Sequence, residues 1–335
     1  PTEVLKTIEK EIISRGNTKS PSGKKYYNSK HIEQMVEQLK PRMQKGEILQ
    51  IDKEAKKLDI YPAHIEEALK QEIIHQGKAY SKNYIEQTTQ KMLNRGYIDV
   101  EELEKTGIPL EILEKMGKTR SLARSPSGKR YYTKQYMKKT APEIIMKTLK
   151  QQKMATTNEI SKKLDIPLQI VQQTLKQNAE KSPTTQYYYP KGTLQRAGQK
   201  IGELIKDPPP IEQMSQQLGI AQSDIEKIIE QEGLEKQWIE KRIRKILKQK
   251  LDDTTKITQQ ETEELKKLTE KAQKHQWSPK QLNIIGVASL VVWEKTGNKE
   301  HYHKGIQLLQ QSGTPNAQHN IETAKAKAKL GRWKK

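Results

Sequence analysis

The chain has 335 residues and is strongly basic, with 62 Lys and Arg against 41 Asp and Glu and a formal net charge of +21 at pH 7. Only 33% of the residues are hydrophobic and none is Phe, a composition that favours several small helical units over one large core. The absence of Cys excludes disulfides, thiolate zinc sites and cysteine nucleophiles, and the longest apolar stretch, from Ile284 to Trp293, is too short for a membrane helix.

Residues 1–28 are predicted to form a partial repeat, a helix followed by a β-hairpin. The hairpin is predicted from the turn sequence Ser20-Pro21-Ser22-Gly23 and from the strand-forming pair Tyr26-Tyr27. A lone helix and hairpin bury little apolar surface, so we expect this segment to pack on the first complete repeat and to leave an exposed edge for a protein partner. The helix carries an apolar stripe at helical spacing, formed by Val4, Leu5, Ile8, Ile12 and Ile13.

Four further repeats are predicted, at 29–80, 81–133, 134–190 and 191–233. The sequence Lys56-Lys57-Leu58-Asp59-Ile60 returns as Lys162-Lys163-Leu164-Asp165-Ile166, and weaker copies end at Ile108 and Ile220. An Asp or Gly precedes each of these isoleucines, as a left-handed residue in a tight helix–helix turn requires. The pattern predicts a helix-turn-helix core in each repeat, in which the isoleucine is a buried anchor.

The hairpin sequence also recurs, at Ser125–Tyr132 and in degenerate form at Ser182–Tyr189, whereas the fourth repeat lacks it. Helix, short strand, two helices and a hairpin are the element order of a winged-helix domain. The sequence therefore predicts a mainly α fold with small β-hairpins, made of tandem winged-helix (helix-turn-helix) repeats followed by a small all-helical domain. The alternative is a generic helical scaffold in which the tyrosines fill the core.

The C-terminal third has a different pattern. Residues 234–257 are predicted to be a linker with a basic amphipathic helix from Trp238 to Lys250, and residues 258–323 a small helical domain. In that domain Ser278-Pro279 is a helix N-terminus ahead of a broad apolar helix. A basic tail without acidic residues follows at 324–335.

Two families share parts of these patterns. The partial repeat with Gly23-Lys24-Lys25-Tyr26-Tyr27, followed by tandem winged helices, resembles the N-terminal region of the ubiquitin-fold-modifier E3 ligase. In that family a partner protein completes the partial winged helix, and the ligase acts as a scaffold without a catalytic cysteine. The resemblance therefore implies a protein-interaction scaffold. Ser278-Pro279, the apolar helix and Gly297 resemble a cyclin-type repeat of transcription factor IIB, which implies contact with DNA or polymerase. The zinc ribbon of that family requires Cys, which this chain does not contain.

The sequence shows no motif for catalysis. It has no phosphate-binding Gly-x-x-x-x-Gly-Lys-Ser/Thr loop, no Gly-x-Ser-x-Gly elbow and no His-Glu-x-x-His pair. His301 and His303 are spaced like two metal ligands but lack a third histidine, so we interpret them as surface residues at a turn. We therefore expect a non-enzymatic protein with no cofactor, no bound metal and no small-molecule substrate.

The second helix of a helix-turn-helix is the element that enters the major groove of DNA. In repeats 1, 2 and 4 this helix carries carboxylates that would face phosphates, such as Glu66, Glu111 and Asp224. In repeat 3 it presents amides and positive charge, and amides can bond adenine edges, although a solvated polar face explains the pattern equally well. The candidate contacts of this helix are Gln169, Gln172, Gln173 and Lys176.

The hairpins, or wings, concentrate basic residues beside tyrosines. Such a surface neutralises phosphate and stacks on sugar or base; the alternative is a solvated hairpin with Tyr as strand filler. The candidates are Lys19, Lys24, Lys25 and Tyr26 in the first wing, and Lys118, Arg120, Arg124, Lys129, Arg130 and Tyr131 in the second. The basic helix and the tail add Lys241, Arg242, Arg244, Lys245, Lys248 and Arg332.

These features favour a nucleic-acid-binding protein of transcription, replication or genome organisation that grips the phosphate backbone, with DNA preferred over RNA. The alternatives are a protein-interaction scaffold of the ubiquitin-fold-modifier ligase type and a binder of structured RNA or the ribosome. A phosphate binder loses affinity steeply with salt, whereas an apolar protein interface does not. Without a signal-peptide pattern or a membrane segment, we expect an intracellular protein, either cytoplasmic or associated with the nucleus or nucleoid.

Overall fold

The protein is mainly α-helical with small antiparallel sheets, as the sequence predicts. The structure, a computed structural model, describes residues 2–248 and 254–329. No helix in these two stretches combines the length and apolarity needed to cross a membrane. The chain divides into an N-terminal body, Pro1–Ile145 with Asn158–Thr174, and a C-terminal body, Met146–Thr157 with Leu175–Lys335.

The partial repeat and repeat 1 open the N-terminal body. The partial repeat contains α1 (Thr2–Ser14), β1 (Asn17–Lys19) and β2 (Tyr26–Asn28). Repeat 1 contains α2 (Ser29–Glu37), α3 (Lys40–Gln44), β3 (Leu49–Gln50), α4 (Ile51–Leu58), α5 (Pro62–Ala68), β4 (Ile73–His75) and β5 (Lys78–Tyr80).

Repeats 2 and 3 have the same order of elements. Repeat 2 contains α6 (Lys82–Asn94), β6 (Tyr97–Asp99), α7 (Val100–Lys105), α8 (Leu110–Lys115), β7 (Ala123–Arg124) and β8 (Arg130–Tyr132). Repeat 3, which contributes residues to both bodies, contains α9 (Lys134–Gln152), β9 (Ala155–Thr156), α10 (Thr157–Leu164), α11 (Leu168–Asn178), β10 (Ala179–Lys181) and β11 (Tyr187–Pro190).

Helices make up the rest of the C-terminal body as the structure describes it, apart from a short 3₁₀ turn at Thr254–Lys256. Repeat 4 contains α12 (Thr193–Leu204), α13 (Ile211–Leu218) and α14 (Gln222–Gln231), and α15 (Glu235–Lys248) follows it. After the 3₁₀ turn come α16 (Gln259–Ala272), α17 (Pro279–Thr296), α18 (Lys299–Ser312) and α19 (Pro315–Lys329). The first residues of the predicted basic tail are therefore helical, and the others lie outside the described residues.

The sheets of repeats 1, 2 and 3 share one topology. The strand that precedes the two central helices pairs with the second strand of the hairpin, which gives the orders β3-β5-β4, β6-β8-β7 and β9-β11-β10. The register places Leu49 opposite Ala79, Ile98 opposite Tyr131 and Ala155 opposite Tyr188. The partial repeat has only its two-stranded hairpin, β1-β2.

The anchor isoleucines lie in the cores of their repeats. Ile60, Ile108, Ile166 and Ile220 are each at most 2% exposed, which confirms the predicted burial. The residues before them have left-handed backbones, with φ of 55° at Asp59, 79° at Gly107, 55° at Asp165 and 66° at Gly219. The tight turn that the repeated sequence predicts is therefore present in all four repeats.

Helix α15 is a core element and not the predicted linker. Its residues Trp238, Ile239, Ile243 and Ile246 are buried in one hydrophobic cluster of the C-terminal body. The same cluster contains residues of repeat 4 and of α16 and α17. The predicted boundaries at 233 and 257 therefore do not separate two cores, because the apolar stripe of α15 is buried together with both sets of helices.

The Ser-Pro-Ser-Gly turns bind the carboxylate that precedes an anchor isoleucine in the following repeat. Ser22 donates its backbone N–H (3.1 Å) and its hydroxyl (2.6 Å) to Asp59, and Ser127 donates the same two groups to Asp165 (2.9 and 2.6 Å). The bonds from Ser22 hold the pKa of Asp59 below its ordinary value. Burial acts to raise the pKa of Asp165, but the bonds from Ser127 outweigh it and the pKa is lowered. We refer to this contact as the serine–aspartate clasp.

A third clasp, in the C-terminal body, uses the same turn position with a carboxylate elsewhere in the next repeat. Thr184 stands where Ser22 and Ser127 stand and likewise donates its backbone N–H, here to Asp224 at 3.3 Å. Asp224, in the first turn of α14, is fully buried. Its carboxylate accepts the hydroxyls of Ser182 at 2.7 Å, Thr184 at 2.5 Å and Tyr189 at 2.6 Å. Burial raises the pKa of Tyr189, which keeps this phenol a neutral donor to the carboxylate.

The junction between repeats 1 and 2 lacks both halves of the clasp. The hairpin of repeat 1 turns through Gln76-Gly77 and has no serine there, and repeat 2 has Gly107 where Asp59 and Asp165 stand in repeats 1 and 3. Serine and aspartate are thus lost together at one junction of the same chain.

Replacing Tyr189 by Phe is expected to destabilise the C-terminal body by about 1.5–3 kcal/mol, the range for a hydrogen bond to a charged group. The variant leaves the buried Asp224 carboxylate with one donor fewer. Urea unfolding followed by tryptophan fluorescence measures the change, because Trp238, Trp277 and Trp293 all belong to this body.

The matched control is Tyr188→Phe, since Tyr188 is the neighbouring residue of the same strand and is also buried, at 7% exposure. We expect this control to leave the free energy of unfolding nearly unchanged. Equal destabilisation by the two variants would attribute the loss to the phenyl packing and remove the support for the clasp.

Candidate nucleic-acid interface

The first wing exposes two of its basic residues. Lys24 and Lys25 lie in the exposed part of the hairpin turn. Lys19 instead pairs with Glu9 of α1 at 2.5 Å, and this hydrogen bond raises the pKa of Lys19. Tyr26 is half-buried, with the Lys19 ammonium 5.8 Å from its ring centroid. Lys24 and Lys25 are therefore the cations of this wing that are best placed to meet a phosphate.

Most of the positive charge of the second wing is paired within the N-terminal body. The ion pairs are Lys118 with Glu86 at 3.6 Å, Lys129 with Glu101 at 2.6 Å and Arg130 with Asp99 at 3.2 Å. The hydrogen bond to Glu101 raises the pKa of Lys129, which shows that the pair favours the charged lysine. The pairs reduce the field that these cations present to a polyanion.

Arg120 and Arg124 are the second-wing cations that the structure leaves at the surface outside ion pairs. Both side chains are exposed. The guanidinium of Arg124 lies 5.9 Å from the ring centroid of Tyr131, within the range of a cation–π contact. This contact holds a charged group at the wing without neutralising it.

Tyr131 is a core residue and not a stacking surface, which corrects the prediction. It is 6% exposed and belongs to the hydrophobic cluster of repeat 2, with Ile98 and Ile108. The reason is the sheet topology, because β8 is the central strand of its sheet and Tyr131 is paired with Ile98 on one side and with Arg124 on the other. Here the interpretation of Tyr as strand filler is the correct one.

Helix α11 presents the predicted polar face. Gln169, Gln172, Gln173 and Lys176 are all exposed, and their spacing places them on one side of the helix. Val171 and Leu175, on the opposite side, are fully buried. The sequence of α11 contains no acidic residue, so carboxylates of its own do not oppose a phosphate at this face.

The other second helices keep acidic surfaces. Glu66 and Glu67 on α5 and Glu111 and Glu114 on α8 are exposed. On α14 the structure gives a different reason for the acidity, because Asp224 is buried in the third clasp. These helices are poor candidates for the major groove, as the sequence predicts.

The predicted basic face of α15 is largely engaged inside the protein. Arg242 is buried, donates to both carboxylate oxygens of Glu264 at 2.6 and 2.8 Å and reaches the carbonyl of Pro208 at 3.3 Å. It is therefore a structural residue, and its assignment as a nucleic-acid contact is wrong.

Two further cations of α15 form ion pairs, Arg244 with Glu240 and Lys245 with Asp207, both at 2.8 Å. Lys241 is half-buried and Lys248 is exposed at the end of the helix. Arg332 lies outside the described residues. Lys248 is thus the residue of this set that the structure places freely at the surface.

Sequence reasoning missed the partners of these cations because they are distant along the chain. Glu86 lies on α6, Glu101 on α7 and Glu264 on α16, and no local spacing connects them with the basic residues. The clasp had a visible signal, which was the parallel recurrence of the Ser-Pro-Ser-Gly turn and of the Asp-Ile anchor in the same chain. That signal could have shown that the turns contact protein.

The two histidines are not at a turn. His301 and His303 both lie in α18; His301 is buried and His303 is exposed. The Nδ1 atom of His301 has no hydrogen-bond partner in the part of the chain that the structure describes. Over the same residues, no group of three His, Asp or Glu is arranged to hold a metal ion.

The exposed polar face of α11 and the exposed cations of the two wings make up the candidate interface. Comparison of the chain with protein-family models gave no match, and a search of curated proteins gave none either. The functional argument therefore rests on the geometry and charge of these surfaces.

Protonation of His301 is expected to destabilise the C-terminal body. Burial lowers the pKa of His301, helped by Lys304 and opposed by Glu270 and Glu300. Below the ordinary pKa of about 6.5, the unfolded chain binds this proton more readily than the folded one, so stability falls as the pH drops below that value. Urea unfolding at pH 7.5 and at pH 5 measures the difference, and His301→Leu is expected to reduce it. His303→Leu, at the exposed position on the same helix, should retain it; an undiminished pH dependence in the His301 variant contradicts this assignment.

Proposed function

We propose that the protein is a non-enzymatic nucleic-acid-binding protein built from tandem winged-helix repeats. Repeats 1, 2 and 3 support the winged-helix assignment by their element order and by the strand order that places the second hairpin strand in the middle of each sheet. The left-handed residue before each anchor isoleucine supports the helix-turn-helix within them. In proteins of this kind the second helix is the element that reads DNA.

The exposed face of α11 carries the proposal. Three glutamines at helical spacing, Gln169, Gln172 and Gln173, can donate and accept hydrogen bonds at base edges, and adenine is the base that amides bond best. Lys176 adds a positive charge one turn further along this face. A helix that served only as a solvated surface has no need to exclude carboxylates, which the exposed faces of α5 and α8 carry.

The exposed wing cations supply the contacts to the backbone. Lys24, Lys25, Arg120 and Arg124 are available for phosphates, and phosphate contacts position a protein on nucleic acid without reading its sequence. The formal net charge of +21 supports such a partner by raising the local concentration of a polyanion. Duplex DNA is the first choice because a helix face fits its major groove, whereas the major groove of an RNA duplex is too narrow for side chains to read.

Replacing Gln172 and Gln173 together by Glu is expected to weaken binding to duplex DNA at least tenfold, because two carboxylates then face the phosphates. The measurement is fluorescence anisotropy with a labelled DNA duplex, repeated with an RNA duplex of the same sequence, at several salt concentrations. The wild type should bind the DNA with an affinity that falls steeply with salt.

The matched control is Gln87→Glu with Gln90→Glu, an identical charge change at exposed positions of α6, the first helix of repeat 2. We expect this control to bind nearly as well as the wild type. Equal weakening by the two double variants would assign the loss to net charge alone. Tighter binding of the RNA duplex would transfer the proposal from DNA to structured RNA.

A protein-interaction scaffold is the second candidate, and helix α1 supports it. Leu5, Ile8 and Ile13 are 64%, 48% and 50% exposed. Exposure of large apolar side chains arranged as a stripe is unfavourable in water, and such a surface is typical of an interaction site. The hairpin of the partial repeat is held to repeat 1 by the Ser22–Asp59 clasp, so α1 is presented next to a fixed element. The resemblance to the ubiquitin-fold-modifier E3 ligase supports the same function, because there a partner completes the partial winged helix.

Replacing Leu5 and Ile8 by Ser tests the scaffold. Both side chains are exposed, so thermal stability should be unchanged, while a protein captured from cell extract through this face should be lost. Capture should persist at high salt, because an apolar interface is not screened. Capture that disappears with salt, and that survives in the double variant, would leave the scaffold without support.

A further inference from the structure

A cavity of about 800 Å³ in the C-terminal body is surrounded by positive charge. Its walls come from the end of α9, the last residue of α11, the end of the β10-β11 hairpin, the start of α12 and the end of α13. No Asp or Glu is among its lining residues. The cations at its edge are exposed, and they are Lys150, Lys153, Lys191, Arg196 and Lys200.

This arrangement of cations is electrostatically unfavourable. Arg196 and Lys200 are four residues apart on α12, a spacing at which like charges repel. Lys191 and Arg196 also lie at the positive, N-terminal end of that helix, where cations are disfavoured. The carboxylate of the nearby Glu180 accepts the backbone N–H groups of Gly192 and Leu194 at 2.5 and 3.1 Å, and its single negative charge offsets only part of the positive charge at this end of α12. An anion in the cavity would offset the repulsion.

Lys153 adds an independent observation, because it has a strained backbone. Its φ is +65°, in the left-handed region that side chains other than Gly, Asn and Asp rarely adopt. The turn between the first helix and the first strand has a glycine with positive φ in repeats 1 and 2, namely Gly46 and Gly96. Glycine would satisfy the turn in repeat 3 as well, so the fold does not require a lysine there. Strain that the fold does not need is the kind that occurs at functional sites.

The surroundings of Lys153 are shaped for its side chain. At Gly46 and Gly96 an added Cβ would meet the rings of Tyr84 and Tyr136, at 2.6 and 2.5 Å, so these two turns are closed by a tyrosine. In repeat 3 the turn carries Lys153 where repeats 1 and 2 have glycine, and the glycine lies in the segment that faces it. A Cβ added at this glycine, Gly219, would meet Cδ of Lys153 at 2.8 Å. The missing side chain at position 219 thus leaves the space through which Lys153 reaches the cavity edge.

We propose that this cavity binds consecutive phosphate groups of a nucleic-acid backbone. The inference deepens the proposed function and rests on it. The lining residues include no aromatic side chain on which a base could stack, so recognition here depends on charge and not on sequence. The five cations form no ion pair among the described residues, so their charges are available to a ligand with several negative charges.

The test uses a cavity variant that carries both Arg196→Gln and Lys200→Gln. The control variant carries both Lys147→Gln and Lys280→Gln, which remove two exposed lysines that do not line the cavity. Affinity for duplex DNA is measured from low to moderate salt. We expect the cavity variant to bind roughly tenfold more weakly at moderate salt and its salt slope to fall by about two, since each phosphate contact contributes about 0.9. The control should keep the wild-type slope. Inorganic tripolyphosphate should compete with DNA for the wild type and not for the cavity variant.

Each outcome separates the cavity from the proposed function. If the wild type binds DNA and the cavity and control variants have equal salt slopes, the proposal for the cavity is wrong and the proposal for the α11 interface is unaffected. A wild type that binds neither DNA nor RNA overturns both. If that protein still binds tripolyphosphate through Arg196 and Lys200, the ligand is a free polyphosphate and the assignment to a nucleic-acid backbone is wrong.

Lys153→Gly supplies a readout that a structural role would not produce. This variant restores the residue that the preceding repeats use in the same turn, so its melting temperature should be unchanged or higher. Its affinity for DNA should fall by a few fold, with a smaller salt slope. A variant that melts lower and binds DNA with wild-type affinity would show that Lys153 serves the turn and not the ligand.

Discussion

At three of the four junctions between consecutive repeats, hydrogen bonds join a hairpin turn to a buried or half-buried carboxylate of the following repeat. Ser22 and Ser127 each give two donors to an aspartate that sits in a left-handed turn. The bond favours the ionised carboxylate, and the carboxylate orients the hairpin of the preceding repeat. A sequence that looks like a generic turn is therefore one half of a joint between repeats, and its serine is unavailable to nucleic acid.

The same logic divides the cations into two groups. Lys129, Arg130 and Arg242 have carboxylate partners and hold elements of their own body together. Pairs at an exposed surface contribute little stability, whereas the buried Arg242 pair would be costly to break from one side. Lys24 and Arg124 remain as exposed cations, so only part of the large net charge is available to a polyanion.

The sequence predicts the repeats well because their signals are local. A left-handed Asp or Gly before a buried isoleucine is a property of five residues, and the structure has it at all four anchors, from Ile60 to Ile220. The candidate contacts are predicted less well, because burial and ion pairing depend on distant residues. Tyr131 is buried by the strands on either side of it, and Arg242 by Glu264 on another helix. No pattern around either residue contains that information.

Residues other than glycine that have positive φ are strained, and most of them have a structural reason for this conformation. The described residues include four that are not glycine and have positive φ: Asp59, Gln76, Lys153 and Asp165. The two aspartates tolerate this conformation and are stabilised by their clasps. Gln76 stands with Gly77 in a two-residue hairpin loop, where positive φ at both positions matches the twist of the strands. Lys153 has neither compensation, and glycine fills its place in the preceding repeats. The strain at Lys153 is therefore the one among these four that the proposed phosphate site has to account for.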